Sequence, residues 1–193
     1  MGLLKVQSGE IHFDGHSLLN LSTYEISRLG IAYVPEGRRI FSRLSVRENL
    51  VATARGAAVE DAWTLSRTLD FFPALAPRMN RHATTLSGGE PHMLAIGRAL
   101  MLNPSLLIMD EATERLAPLV RRQIWERLED LKRSGLSILI VDKHIDRLRQ
   151  LADHHYILEK GRIVWQGDSR QLQQDQVLTA KYIGLQDSAP LSA

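Results

Sequence analysis

The 193-residue sequence contains no cysteine. Disulfides and thiolate metal sites are therefore excluded, which fits a reducing compartment. No apolar run approaches the ~20 residues needed to span a bilayer. The opening Met1-Gly2-Leu3-Leu4-Lys5 is too short and too soon polar for a secretory signal. Met-Gly alone does not make a myristoylation site, because Val6 stands where Ser or Thr is expected. A basic stripe is missing as well. The 24 Lys and Arg are interspersed with 22 Asp and Glu, for a net charge of +2. The densest basic spots are only the pairs Arg38-Arg39 and Arg121-Arg122, so no nucleic-acid partner is expected.

What is present is ordinary globular composition, 44% hydrophobic and 24% charged. The length suits one domain with a sizeable core. Glu10 to Phe13 reads as a strand turned by Asp14-Gly15. Capping boxes at Ser22–Glu25 and Ser45–Glu48 each open a helix, the first stopped by Gly30 and the second fading near Gly56. Ile31 to Val34 reads as a buried strand. A further helix is expected from about Val59 to Phe72, broken by Pro73 and Pro77, with loop from Arg78 to Thr85. The absence of strand pattern from Ser45 to Thr85 suggests an inserted helical subdomain.

Ser87-Gly88-Gly89-Glu90 reads as a third capping box, with Ser87 as N-cap of a helix running to Met101. Leu106 to Met109 is a continuous apolar run, as in a parallel strand covered on both faces. Pro118 to Ser134 is an amphipathic helix with Val120, Ile124, Leu128 and Leu131 as its stripe. Trp125 flanks that stripe. Ile138 to Val141 is another buried-type strand and Ile145 to Ala152 a short helix. His155–Leu158 and Arg162–Trp165 form a hairpin, and Asp168 or Ser169 caps a last helix. Strands alternating with helices indicate an α/β domain with a largely parallel sheet. Ligands then bind at the carboxyl ends of the strands, where Glu36, Asp110-Glu111 and Asp142-Lys143-His144 fall.

Asp110 at a strand tip offers a hard oxygen to magnesium, and Glu111 beside it can polarise a water. An acidic helix cap is the alternative for a bare Asp-Glu pair. Ser87, Gly88 and Gly89 form an anion-binding helix start, where Gly permits close approach of a phosphate. A simply capped helix is the plainer reading. Trp63, Phe71 and Phe72 suit a core or a docking groove, and Met101 and Met109 suit core filling. His154-His155 lacks the further ligands of a metal site.

Taken together, Leu86-Ser87-Gly88-Gly89-Glu90, the strand Leu106 to Glu111, the following Glu114 to Pro118 and Tyr33-Val34-Pro35-Glu36 resemble the ATP-binding subunit of an ABC transporter. They match in turn its signature, Walker B strand, D-loop and the loop that couples nucleotide to the membrane subunits, with Glu36 in place of the usual Gln. Glu36 to Phe41, Ala117-Pro118-Leu119 and the Tyr156-to-Gly167 hairpin resemble the subgroup that energises importers of branched-chain amino acids, or of urea and short amides.

The resemblance implies a P-loop NTPase-type (RecA-like) α/β fold over residues 1–184, a helical subdomain at about 42–100 and a loosely ordered 185–193 tail. It implies ATP and magnesium as cofactors. Asp110 would hold magnesium, Glu111 would be the base, and Lys143 would fall at the position of the family's switch histidine, with His144 one residue on. Glu36, Ser87, Gly88, Gly89 and Glu90 would bind nucleotide. The partners implied are a second ATP-binding subunit, identical or not, and integral-membrane permease subunits. The place implied is the cytoplasmic face of the inner membrane, peripherally. For His144 a surface or capping role is the alternative.

The family's phosphate loop, G-x-x-x-x-G-K-[ST], has no counterpart, since no Gly-Lys dipeptide occurs. The expectation is a chain lacking its N-terminal strands and P-loop, with apolar sheet surface exposed and low stability alone. Three explanations stay open: the natural protein is longer and starts upstream of Met1, the gene is truncated, or the chain works only beside an intact partner. The alternative to an importer's ATP-binding subunit is a catalytically incompetent truncated remnant or a non-hydrolysing half that supplies the signature in trans. Two further departures are Pro91, expected as the fourth helical residue where it would delay or bend the helix, and Arg115 in place of a D-loop Gly.

Overall fold

Local turn and cap chemistry sets the element boundaries. In the computed structural model, residues 1–37, 39–56, 61–111, 113–114 and 116–174 are described. They fall into two compact units, Met1–Asp142 and a second that begins at Lys143.

In the first unit, Asp14 and Gly15 take φ of 48° and 74°, the left-handed pair that a tight hairpin turn requires. They join β1 (His12–Phe13) to antiparallel β2 (His16–Ser17). Helix α1 (Thr23–Arg28) starts at the expected capping box. The Ser22 N–H donates to Glu25 Oε2 at 2.7 Å, and Ser22 Oγ accepts from the Glu25 N–H at 3.3 Å. Ser45 and Glu48 repeat the device for α2 (Val46–Val51), which ends at Ala52, short of Gly56.

Strands β3 (Ile31–Val34), β4 (Leu106–Asp110) and β5 (Ser137–Val141) form one parallel sheet in the order β3-β4-β5. The register aligns Tyr33, Ile108 and Leu139 in one row and Val34, Met109 and Ile140 in the next. Helix α4 (Glu90–Leu100) packs on β3 and on α2. Helix α5 (Pro118–Arg133) buries Ile124, Trp125, Leu128 and Leu131, a stripe at helical spacing. The core joins Leu107 and Met109 of the sheet to Leu94, Ile96 and Leu100 of α4, with Leu50, Phe72 and Leu75 beyond.

The strand faces differ from expectation. The apolar runs predict β4 and β5 covered on both sides, yet only one face of β4 is buried. Leu107 and Met109 are fully covered, whereas Ile108 is half-buried and Leu139 and Val141 of β5 are 49% and 57% exposed. Among the described residues, the Tyr33–Ile108 side of the sheet meets an open cleft of about 970 Å³, lined by the Met1–Gly9 segment and by Glu25 and Ile26 of the short helix α1. Apolar sequence alone does not reveal which face of a strand a neighbour covers.

Helix α3 spans Leu65–Phe71, starting where Thr64 Oγ1 accepts from the Arg67 N–H at 3.2 Å. That is later than the expected start at Val59, itself outside the described residues. A β-branched N-cap outweighed the weak helical pattern upstream. Pro73–Arg78 and Ala83–Thr85 are 3-10 turns rather than plain break and loop. Trp125, beside the stripe, is buried with it, whereas Val120, expected in the stripe, is half-buried near the helix start.

The second unit contains α6 (Ile145–Leu151), an antiparallel hairpin of β6 (His155–Glu159) and β7 (Arg162–Gly167), and α7 (Ser169–Gln174). Lys160 and Gly161, at φ 49° and 78°, make the hairpin turn. Asp168 is the cap of α7, its Oδ1 accepting from the Gln171 N–H at 2.8 Å. The Ser169 hydroxyl donates to the Arg149 carbonyl at 2.9 Å, leaving its oxygen to accept from His155 Nε2 at 2.7 Å. The final segment of the chain, including Gly184 and the 185–193 tail, lies outside the described residues.

Candidate phosphate and cation site

Strand β4 ends on Asp110, and the chain turns sharply after it. Glu111 adopts φ 47°, a left-handed conformation that costs a non-glycine residue about 1–3 kcal/mol. The strain is held by backbone hydrogen bonds. The Glu111 N–H donates to the Val141 carbonyl at 2.8 Å, and the Glu114 N–H donates to the Glu111 carbonyl at 3.1 Å. Thr113 Oγ1 adds a bond to Asp142 Oδ2 at 2.7 Å. The loop after β4 is thus tied twice to the tip of β5. Strain concentrated on the residue after a strand-end Asp is a mark of a functional position.

That turn brings Glu111 beside two further carboxylates. One oxygen each of Glu36, Glu111 and Glu114 lie within 4.8 Å of one another. Glu36 follows β3, so adjacent parallel strands deliver the pair at their carboxyl ends, as the sheet order requires. Glu114 was not expected among the ligands. Only its spacing of three from Glu111, which lets one turn bring both round, could have signalled it.

All these donors are hard oxygens, the set that magnesium prefers. Two oxygens bound directly to one magnesium stand at most about 4.2 Å apart. Three such oxygens within 4.8 Å of one another fit the ion bound directly or through water.

Asp110 receives a second interaction that sequence reasoning missed. Tyr33 Oη donates to Asp110 Oδ2 at 3.3 Å. Burial pushes the Tyr33 phenol above its ordinary pKa, and the Asp110 charge and hydrogen bond add to the shift. Tyr33 stays protonated and can only donate to the carboxylate, which limits how Asp110 turns. The parallel register, Tyr33 opposite Ile108, places the hydroxyl near the strand tip.

The glycine loop divides its labour. Ser87 and Gly88 are exposed and Gly89 is buried. Gly88 sits at φ 58° with open space where a Cβ would project, so its backbone is accessible to an anion. Gly89 has an ordinary φ of −94°, but a Cβ there would overlap Val120 Cγ1 of α5. Gly88 therefore suits ligand approach, and Gly89 suits helix packing.

The N-cap is Gly89 rather than Ser87, and α4 begins at Glu90. Only half of the expected capping box forms, the Ser87 N–H donating to Glu90 Oε2 at 3.0 Å. Pro91 explains the later start. It occupies the second helical position, where its missing N–H is not needed. The other Glu90 oxygen pairs with Arg78 Nε at 3.2 Å, pinning the loop to the Pro73–Arg78 3-10 turn.

Lys143 and His144 open the second unit. The Lys143 carbonyl accepts from the Ile145 N–H at 3.0 Å, and His144 is the N-cap residue of α6. Arg38 and Arg115 lie outside the described residues.

Comparison with known proteins bears on the family and the fold. The family model "ABC transporter" matches residues 1–114, more than half of the chain. The high-affinity branched-chain amino acid transport ATP-binding protein BraG of Pseudomonas aeruginosa is 41% identical over 184 residues, 95% of this chain and 79% of the relative. The probable branched-chain amino acid transport ATP-binding protein LivF of Archaeoglobus fulgidus is 34% identical over 191 residues, 96% of this chain and 80% of its own. The ADP conformation of MJ1267, an ATP-binding cassette of an ABC transporter, superposes with a TM-score of 0.77 at 25% identity, covering 95% of this chain and 80% of that one. The fold is that of an ABC ATPase cassette, of P-loop NTPase type, and the chain belongs to the ABC transporter ATP-binding family.

Proposed function

We propose that this chain is the ATP-binding subunit of an importer for branched-chain amino acids or related small amides, coupling nucleotide binding and hydrolysis to transport. The observation that carries the site reading is the convergence of Glu36, Glu111 and Glu114 beside the strand-end Asp110. The names of the relatives support the substrate class. Magnesium bound there would neutralise phosphate charge. Glu36 and Glu114, with Asp110 oriented by Tyr33 on the same edge, would hold that cation. Glu111, fixed in its strained turn, takes the proton of an attacking water. Glu36 links this site to the membrane subunits, and Lys143, at the position of the family's switch histidine, or His144 beside it completes the catalytic set. Ser87 and Gly88 offer a hydroxyl and accessible backbone to the terminal phosphate of a nucleotide held by a second ATP-binding subunit. Gly89 and Glu90 keep that loop in place. The partners are that subunit, identical or different, and membrane permease subunits at the cytoplasmic face. No described helix is long and apolar enough to cross a membrane.

Deleting the coding sequence in the source cell and measuring uptake of labelled leucine, isoleucine and valine tests the transport role. Uptake falls on deletion and returns with the wild-type chain under this reading. Unchanged uptake would overturn it. Recovery with Glu111→Gln as well as with wild type would contradict the assignment of Glu111 as the base.

A further inference from the structure

Glu36 sits in a loop whose far end is gripped by a side chain that no site reading requires. Arg98, on α4, donates from Nη2 to the Arg39 carbonyl at 2.8 Å. Its guanidinium also lies over the Phe41 ring, 4.5 Å from the centroid, within the range of a favourable cation–π contact. Arg39 needs such support, because it adopts φ 36° and its own N–H bonds only two residues back, to the Gly37 carbonyl at 2.8 Å.

Asn49 of α2 holds the Phe41 backbone as well. Its Oδ1 accepts from the Phe41 N–H at 2.8 Å, and its Nδ2 donates to the Phe41 carbonyl at 2.9 Å. Asn49 is fully buried, whereas the Phe41 ring is 44% exposed. Burial holds the Arg98 guanidinium below its ordinary pKa, so a charge is being kept out of water. Hydrophobic packing alone would not select an arginine here. The fork geometry that binds a carbonyl while stacking on a ring would.

The structure assigns to Arg98 the role of a positioning residue that clamps the loop after Glu36 to the signature-bearing helix. The inference rests on the reading of Glu36, Glu111 and Glu114 as the cation site. Glu36 is three residues from Arg39, a tether of at most about 11 Å. With Arg39 and Phe41 anchored, Glu36 stays near Glu111 and Glu114. Without the anchor, the loop can leave while both strands remain intact. The clamp also makes the Glu36 loop and α4 move together, so a displacement at one is felt at the other.

Amide hydrogen exchange on the full 193-residue chain, without nucleotide, reads the clamp directly. Arg98→Met is expected to raise exchange at the Arg39 and Phe41 amides by about 10- to 100-fold, the value of a charged hydrogen bond. Amides in the middle of α4 should change by less than about threefold. Phe41→Leu, a substitution at a half-exposed ring, is expected to give about two- to fivefold at Arg39, and the double variant should add little to Arg98→Met. Unchanged exchange in both single variants, or effects that simply multiply, would overturn the clamp.

In the assembled transporter, Arg98→Met should lower kcat for ATP with KM for magnesium-ATP held within about twofold, and Arg98→Lys should recover part of it. Faster exchange with unaltered kcat would overturn the positioning role. A wild-type transporter without ATP turnover would instead refute the hydrolytic reading, and the exchange experiment would still decide the clamp.

Discussion

Replacing Gly89 with Ala separates the two reasons for a glycine in the Ser87-Gly88-Gly89 loop. The backbone at Gly89 is open to any L-residue, with φ −94° and ψ −7°. Any penalty must therefore come from contact. The added Cβ would overlap Val120 Cγ1 and stand 3.4 Å from Val120 Cβ, where ordinary carbon–carbon contact is about 3.5–4.0 Å. Val120 is β-branched and sits in α5, so turning its χ1 away from the preferred helical rotamer is itself unfavourable. Either that rotamer changes or the start of α4 moves off α5. Overpacking of this kind costs about 1–3 kcal/mol.

Val120→Ala removes the overlapping methyl and, at a half-buried site, should cost about 1 kcal/mol. If the contact is the cause, the double variant should be more stable than the sum of the single effects by about 1–2 kcal/mol. Urea unfolding of the four chains, with midpoints converted through a common slope, measures this. A coupling below about 0.5 kcal/mol, or a Gly89→Ala chain as stable as wild type, would refute the assignment of Gly89 to packing.

Three further outcomes follow from other parts of the molecule. Leu107→Ala, in the fully buried row of β4, should cost about 2–5 kcal/mol in urea unfolding, whereas Leu139→Ala on the 49%-exposed row of β5 should cost under about 1 kcal/mol. Tyr33→Phe removes the hydroxyl from Asp110 and should weaken Mn²⁺ binding, followed by electron paramagnetic resonance, by about fivefold with a stability loss near 1 kcal/mol. His155 has its pKa lowered, first by burial and then by the neighbouring His154 and Arg149 charges. A lowered folded-state value means that the unfolded chain binds the proton more readily. The stability from neutral His155 is therefore full above the unfolded pKa near 6.5 and is lost as pH falls through the depressed folded value. Thermal melts from pH 7.5 to 5 should show that loss, and His155→Gln should reduce it.

The sequence was most readable where chemistry is local. Ser22–Glu25 and Ser45–Glu48 announce two helices because both halves of each cap lie within four residues. Asp14-Gly15 and the Lys160-Gly161 pair fix their turns through positive φ. Ile31–Val34 was bounded by Gly30 and Pro35. The Ser87 box was misread because Pro91 shifts the helix start two residues, and a cap pattern cannot show which of two registers a proline will favour.

Contacts made by distant segments were not legible. Tyr33 meets Asp110 through strand register, Val120 meets Gly89 through helix packing, and Arg98 reaches Arg39 across the chain. Glu114 joins Glu111 only because Glu111 accepts a left-handed turn, which nothing in a Glu residue advertises. The exposed rows of β4 and β5 likewise depend on which neighbour covers each face. Apolar residues state that a strand prefers cover, and tertiary structure decides which side receives it.

The hydrolytic reading concentrates on one carboxylate, Glu111, strained at φ 47° beside Asp110. The decisive measurement is ATP turnover by the transporter assembled with wild-type chain and with Glu111→Gln, alongside equilibrium ATP binding to both. Loss of a general base predicts turnover lower by about 10²–10⁴-fold with ATP affinity unchanged within about threefold. Equal turnover in the two assemblies would contradict it, and so would a loss of turnover fully matched by a loss of binding.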